Sequence, residues 1–195
     1  MTDAEPMLHL DSRPGLPDEI AVLRARYPRT DWPRHPNYGE LAAFWRRVHD
    51  SLRREGEVLA AMTADFRAGH LRAAEFQQRF MPQLAHHLQH LDGHHRIEDD
   101  HYFPLFRRLD RRFERGFDLL ENDHDVIHDD LRRVAASGRA LMQELARGAD
   151  AGQRAADRYA DDAERLLHVL DRHLIDEEDL VIPAMLEHGE RPLTR

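Results

Sequence analysis

No cysteine occurs in the 195 residues, and that absence removes disulfides, thiolate zinc sites, Cys-ligated iron–sulfur clusters and cysteine nucleophiles together. Any metal must therefore sit on nitrogen and oxygen. Basic excess is missing too: 28 Lys and Arg against 37 Asp and Glu give a formal charge of −9. That balance leaves no electrostatic footprint for nucleic acid or an acidic membrane surface, and the arginines between Arg107 and Arg115 read as a helix end and turn. No apolar run approaches the roughly 20 residues of a membrane span. The opening MTDAEPMLHLDSRPG has neither the basic start nor the apolar stretch of a signal peptide, so the expected location is the cytoplasm. Aromatic residues make up only 7%, against 33% charged and 41% hydrophobic. Such a chain reads as one surface-rich globular domain, with or without an appendage, large enough to bury a sizeable core.

What the sequence has in quantity is histidine, with fifteen. Its distribution follows the organisation of the chain. Most of the ten prolines fall in residues 1–39, which read as an irregular N-terminal arm or cap with a short helical candidate at Asp18 to Arg26. From Glu40 onward apolar residues return at helical spacing and no alternating run argues for a sheet. The first helix is expected from Tyr38 to Ala68, with Leu41, Trp45, Val48, Leu52, Leu59, Met62 and Phe66 on one stripe. The second is expected from Arg72 to about Arg108, kinked or split by Pro82 and stopping near Pro104 in one version. The third runs from Phe117 to Arg147, and the fourth from Arg154 to His188 with Gly189 at the C-cap position. The expected fold is all-α, an up-down antiparallel four-helix bundle over residues 40–189, with the arm before it and a tail at 190–195.

The chain repeats itself within that bundle. VHDSLRR at Val48 to Arg54 recurs as IHDDLRR at Ile127 to Arg133, an offset of 79. The same offset carries HHRIEDDHYFP, His94 to Pro104, onto HLIDEEDLVIP, His173 to Pro183. His94 then meets His173, and Glu98 meets Glu177. On an α-helix, positions four apart differ by about 40° and sit one turn apart, so His-x-x-x-Glu is a two-toothed clamp. With Leu91 as the core direction, Glu98 lies about 20° away and His94 about 60°. A carboxylate facing a core without a partner is costly, and two at matching positions call for compensating charge. Paired metal ions supply it, and nitrogen with oxygen suits iron or manganese without excluding zinc.

These strings, with DHDVIH of the third helix, resemble the hemerythrin-like, or HHE cation-binding, family across about Tyr38 to His188. The resemblance implies a four-helix bundle around two non-haem iron ions bridged by carboxylates and an oxo or hydroxo group, with manganese or zinc as alternatives. It implies ligands at His49, His94, Glu98, His124, His173 and Glu177, the two glutamates bridging. Several positions stay open. The repeat offset pairs His49 with His128, whereas facial angle favours His124 over His128, about 60° against about 100° from Ile127; both are retained as candidates. Glu178 is an alternative to Glu177. His95 reads as core filling or support, His101 as structural or supporting, and His86, His87 and His90 as a solvated or pocket-lining face. Phe44, Trp45, Tyr102, Phe103 and Phe106 read as packing around the site, with Tyr102 able to hydrogen-bond to a ligand of the metal. The implied function is binding of a small ligand, dioxygen first, for sensing, storage or delivery. Redox chemistry on nitric oxide or peroxide, iron-centre repair, and an iron-responsive regulatory module are the alternatives. Whether the chain is an enzyme, and its oligomeric state, stay open.

Overall fold

The computed structural model describes residues 8–194; the first seven residues of the expected arm and the last residue of the expected tail lie outside the described residues. The described residues form five α-helices joined by short 3-10 and π-helical turns, and no strand occurs among them. They are α1 (Glu40–Arg67), α2 (Ala73–Ile97), α3 (Phe103–Leu109), α4 (Glu114–Arg147) and α5 (Ala149–His188). None is long and apolar enough to cross a membrane.

Helix boundaries follow local chemistry. The first backbone N–H groups of α1 have no partner within the helix. Glu190 supplies one from the far end of the chain, accepting from the N–H groups of Gly39 at 3.1 Å, Leu41 at 3.1 Å and Ala42 at 2.8 Å. A carboxylate suits the positive end of the helix dipole. A side chain at Gly39 would place its Cβ 2.3 Å from Glu190 Oε2, so glycine is needed for this approach. Just before Glu190, at the C-terminal end of α5, Gly189 takes a left-handed φ of +74° and its N–H bonds Met185 O at 2.8 Å, which closes the last turn.

The two prolines of this stretch act differently, Pro82 leaving α2 unsplit and Pro104 following a break. Helix α2 passes through Pro82 without interruption. The break comes instead at Glu98–Tyr102, a single π-helical turn in which the N–H of Phe103 reaches Glu98 O. Pro104 follows it, and proline cannot donate to the carbonyl one turn back. An extra residue in the turn changes which side chains face inward. On an uninterrupted α-helix Tyr102 would lie about 20° from Leu91 and Phe103 about 120°. The inserted residue puts Phe103 where Tyr102 would have stood, and Phe103 and Phe106 are fully buried while Tyr102 is partly exposed. The helical candidate at Asp18 to Arg26 is a succession of turns, with N–H bonds from Ile20 and Ala21 to Pro17 O and from Arg24 to Ala21 O. Pro17 and Pro28 bound that segment at either end.

The described chain divides into two compact units. The first comprises residues up to 50, 94–125 and from 170 onward. Its core joins Leu16, Ile20, Leu23 and Trp32 of the arm to Phe103, Phe106, Phe117, Val181 and Met185. The arm segment therefore packs as part of that unit. The second unit comprises residues 51–93 and 126–169. A chain of ring contacts runs through it, Phe66 on Phe76, Phe76 on Phe80 and Phe80 edge-on to Tyr159, with centroids 4.6–4.8 Å apart.

Asp110 links α3 to α4. Its side chain accepts from the Arg112 N–H at 2.9 Å and starts the 3-10 turn Arg111–Phe113. Hydrogen bonding from the Arg112 guanidinium, against a smaller cost of burial, lowers its pKa from 3.8 to about 2. A depressed folded pKa gives stability that is present above the unfolded value and lost as pH falls through the folded one. Asp110→Ala should lower stability at pH 7 by about 1 kcal/mol. In urea denaturation the gap between the two proteins should hold down to about pH 4 and narrow toward about pH 2.

Candidate metal centre

The first unit gathers histidine and glutamate side chains from four helices. His49 comes from α1, His94 and His95 from the last turn of α2, Glu98 from the first position of the π-helical turn, His124 from α4, and His173 and Glu177 from α5. His49, His95, Glu98, His124, His173 and Glu177 are each at most 1% exposed. Their donor atoms fall into two groups, His49 with His94, Glu98 and Glu177, and His95 with His124 and His173, each lying within 4.8 Å of one another.

The contacts between these groups follow a pattern. Glu98 turns Oε1 to His94 Nε2 at 3.1 Å and Oε2 to His124 Nε2 at 3.7 Å. Glu177 turns Oε1 to His49 Nε2 and Oε2 to His173 Nε2, both at 3.4 Å. Each carboxylate thus has one oxygen toward each donor group. Two donors held by one cation at about 2.0–2.2 Å stand about 2.8–3.6 Å apart at tetrahedral or cis-octahedral angles. His124 Nε2 and His173 Nε2 face each other at 3.1 Å. Nε2 of His49 and His94, both oxygens of Glu98 and Oε2 of Glu177 are buried without a hydrogen-bond partner. Buried polar atoms left in this state are costly, and metal cations among the two donor groups would satisfy them. The donor set therefore fits a metal.

The far nitrogens of three imidazoles are held by carboxylates. Glu178 Oε1 stands 3.0 Å from His49 Nδ1, Asp99 Oδ1 is 2.7 Å from His124 Nδ1, and Asp123 Oδ2 is 3.4 Å from His173 Nδ1. A carboxylate there keeps the proton on Nδ1 and aims the Nε2 lone pair at the centre, the arrangement that orients metal-ligating histidine. Trp45 donates its indole N–H to Glu177 Oε1. Tyr102 packs edge-on against Trp45 at 4.9 Å, and His95 stacks on His124 at 4.0 Å.

Without a cation the charges must share protons. Burial raises the Glu98 carboxyl well above its ordinary range, helped by the charge of Glu177. Burial acts on Glu177 too, yet His49 and His173 outweigh it and hold that carboxyl well below. Burial works against protonation of His173, but Asp123 and Glu177 together raise it to about 9. Burial, reinforced by the charge of His49, pushes His94 well down.

A further layer comes from the arm. Arg13 is fully buried and donates Nε to Asp176 at 2.7 Å, Nη1 to Asp123 Oδ1 at 2.9 Å and Nη2 to Asp123 Oδ2. Arg29 donates Nε to Asp179 and Nη1 to Glu178, each at 2.7 Å, and Nη2 to Ile175 O at 2.6 Å. The two arginines thus fix Asp123 and Glu178, which hold His173 and His49. Nothing in the arm's sequence singled them out, because their partners lie more than a hundred residues away.

Of the residues proposed from sequence, His49, His94, Glu98, His124, His173 and Glu177 stand together. Glu177 faces the imidazole Nε2 atoms and Glu178 stands behind His49. His128 belongs to neither donor group; its side chain is 30% exposed and lies 4.0 Å from Asp92. His95, read as core filling or support because its repeat counterpart is leucine, joins the three-histidine group. The signal for it was its facial angle, about 40° from Leu91 and nearer the core axis than His94. His101 is exposed, with its ring 4.8 Å from that of Tyr102.

Removing one partner from a buried ion-paired cluster leaves uncompensated charge and costs about 3–5 kcal/mol. Arg13→Ala should lose about that much in equilibrium denaturation. Arg13→Lys should recover only part, since an ammonium cannot reproduce the forked contacts to Asp123 and Asp176. A loss under about 1 kcal/mol in Arg13→Ala would show that Asp123 and Asp176 do not depend on it.

No curated protein and no solved structure matches the chain. The model of one family, described as the hemerythrin HHE cation-binding domain, matches residues 40–185. That span covers well over half of the chain and includes all seven clustered donors. The chain belongs to the hemerythrin HHE cation-binding domain family.

Proposed function

We propose that the protein is a non-haem di-iron protein that binds a small ligand, with dioxygen the first choice, for sensing, storage or delivery. The observation that carries the reading is the facing of each glutamate: Glu98 and Glu177 both turn one oxygen to His49 or His94 and the other to His124 or His173. In the proposed arrangement His49 and His94 would hold one ion and His95, His124 and His173 the other, with Glu98 and Glu177 able to serve both. Helices α1, α2 with α3, α4 and α5 then run alternately up and down as an antiparallel four-helix bundle. His128 stays outside the set, beside Asp92.

A pair of ferrous ions supplies the electrons that reversible dioxygen binding draws on. The residues do the rest. Glu178, Asp99 and Asp123 keep the imidazoles in the tautomer that offers Nε2. Trp45 orients Glu177, and the aromatic group of Trp45, Tyr102 and Phe106 keeps bulk water from the two-histidine position. That group has one imidazole fewer, so it would leave more room for a small ligand. Nitrogen and carboxylate donors suit iron, and they suit manganese or zinc as well.

Aerobic purification followed by an iron count and a visible spectrum separates metal from no metal. Iron should approach two ions per chain, and a colourless chain that takes up none would defeat the reading. Glu98→Gln and Glu177→Gln keep the side-chain shape and remove the bridging charge. Each should lower iron to about one ion per chain or fewer and reduce thermal stability with it. Undiminished iron in both variants would remove the bridging role.

Ligand chemistry has its own test. The reduced protein should bind dioxygen and release it under vacuum over repeated cycles. Sustained consumption of nitric oxide or peroxide, without reversible dioxygen binding, would move the protein into the enzyme class.

A further inference from the structure

A second donor cluster lies in the other compact unit, and the di-iron proposal makes no use of it. Glu55 of α1 meets His86, His87 and His90 of α2. Its Oε1 stands 2.9 Å from His90 Nδ1 and 3.5 Å from His86 Nε2, and Ser51 donates to the same oxygen at 3.0 Å. Its Oε2 lies 3.4 Å from His87 Nδ1. The histidines at 86 and 90 are one turn apart on one helix face. The sequence alone makes them a solvated or pocket-lining face, because nothing local shows that a carboxylate from α1 comes up against them.

We propose that Glu55, His86 and His90 form a divalent-cation site, separate from the buried centre, that takes zinc. The three donor atoms lie within 4.8 Å of one another. Two of their separations, 2.9 and 3.5 Å, bracket the roughly 3.3 Å between ligand atoms of a tetrahedral zinc bound at about 2.0–2.1 Å. Two imidazoles and one carboxylate leave a fourth position, as in open zinc sites. Solvent reaches that position: the His86 side chain is 69% exposed, His90 29% and Glu55 18%. The cluster borders a cavity of about 500 Å³ whose walls include Ser51, Arg54, Val58, Pro82 and Gln83.

The carboxylate is held in place: Ser51 donates to its Oε1 at 3.0 Å, and His90 Nδ1 faces the same oxygen at 2.9 Å. His87 takes a supporting position. It is 2% exposed, burial lowers its pKa, and its Nε2 has no hydrogen-bond partner. Packed beside the other oxygen of Glu55, it limits how that carboxylate can turn. A cation held here ties α1 to α2 with ligands from both helices.

Zinc chloride titrated into the full-length, iron-loaded protein by equilibrium dialysis tests this, with iron counted before and after. One zinc per chain should bind beyond the iron already present. The double variant His86→Ala, His90→Ala should lose that equivalent or bind it at least about tenfold more weakly, and Glu55→Gln should behave in the same direction. Both variants should keep the parent's iron content. Cobalt(II) in place of zinc should give the parent, and not the double variant, the strong visible absorption of a four-coordinate ion. No added zinc would overturn the proposal and leave the buried centre untouched. Zinc retained in the double variant, or zinc bound only as iron is lost, would overturn it as well. If the protein holds no iron, the comparison of parent with double variant still decides the question.

Discussion

Everything around the buried centre answers one constraint: two glutamates and five imidazoles share a volume in which all but His94 are at most 1% exposed. A charge so placed is tolerated only when it is paired and hydrogen-bonded. The fold responds in layers. Imidazole Nε2 atoms and glutamate oxygens face one another at the centre. Behind them Glu178, Asp99 and Asp123 take the outward nitrogens, and behind two of those Arg13 balances Asp123 and Arg29 balances Glu178. Removing charge from one layer exposes the next, so Arg13, which reaches none of the imidazoles, bears on the whole stack.

Much of this was legible in the sequence, and the reason is periodicity. Long amphipathic helices announce themselves by apolar spacing, and the ends expected for α1 and α5 near Gly69 and Gly189 follow from glycine. Glu98 and Glu177 could be placed inward because a seven-residue step returns to nearly the same face of a helix. The matching strings at His94 and His173 placed both clamps in one design. His124 stood out from His128 by the same angular argument, though the repeat offset favoured His128.

What escaped the reading depends on contacts that periodicity does not carry. The π-helical turn breaks the angular count at Glu98, so Phe103 and not Tyr102 takes the inward place. The repeat concealed this, because Pro104 and Pro183 align, yet α5 runs unbroken through Pro183 while α2 ends before Pro104. His95 was set aside for the same reason: its counterpart is Leu174, and the equivalence of the two halves stops there. Glu55 and the histidines of α2 show the opposite case, where each helix looks like an ordinary polar face until the other is beside it. The roles of Arg13 and Arg29 have no local signal at all, since an irregular arm has no period to read.

The arm also sets an order of events. Arg13 and Arg29 bond residues between 110 and 163 positions further along the chain. Contacts at that separation are slow to form, because the loop must close before they reward it. During synthesis the arm leaves the ribosome well before Asp176, Glu178 and Asp179, its partners on α5. Until α5 follows, Arg29 lacks both of its carboxylates and Arg13 one of its two. Docking of the arm therefore waits for α5, and the carboxylates behind His49 and His173 gain their arginine partners only when those two segments have met.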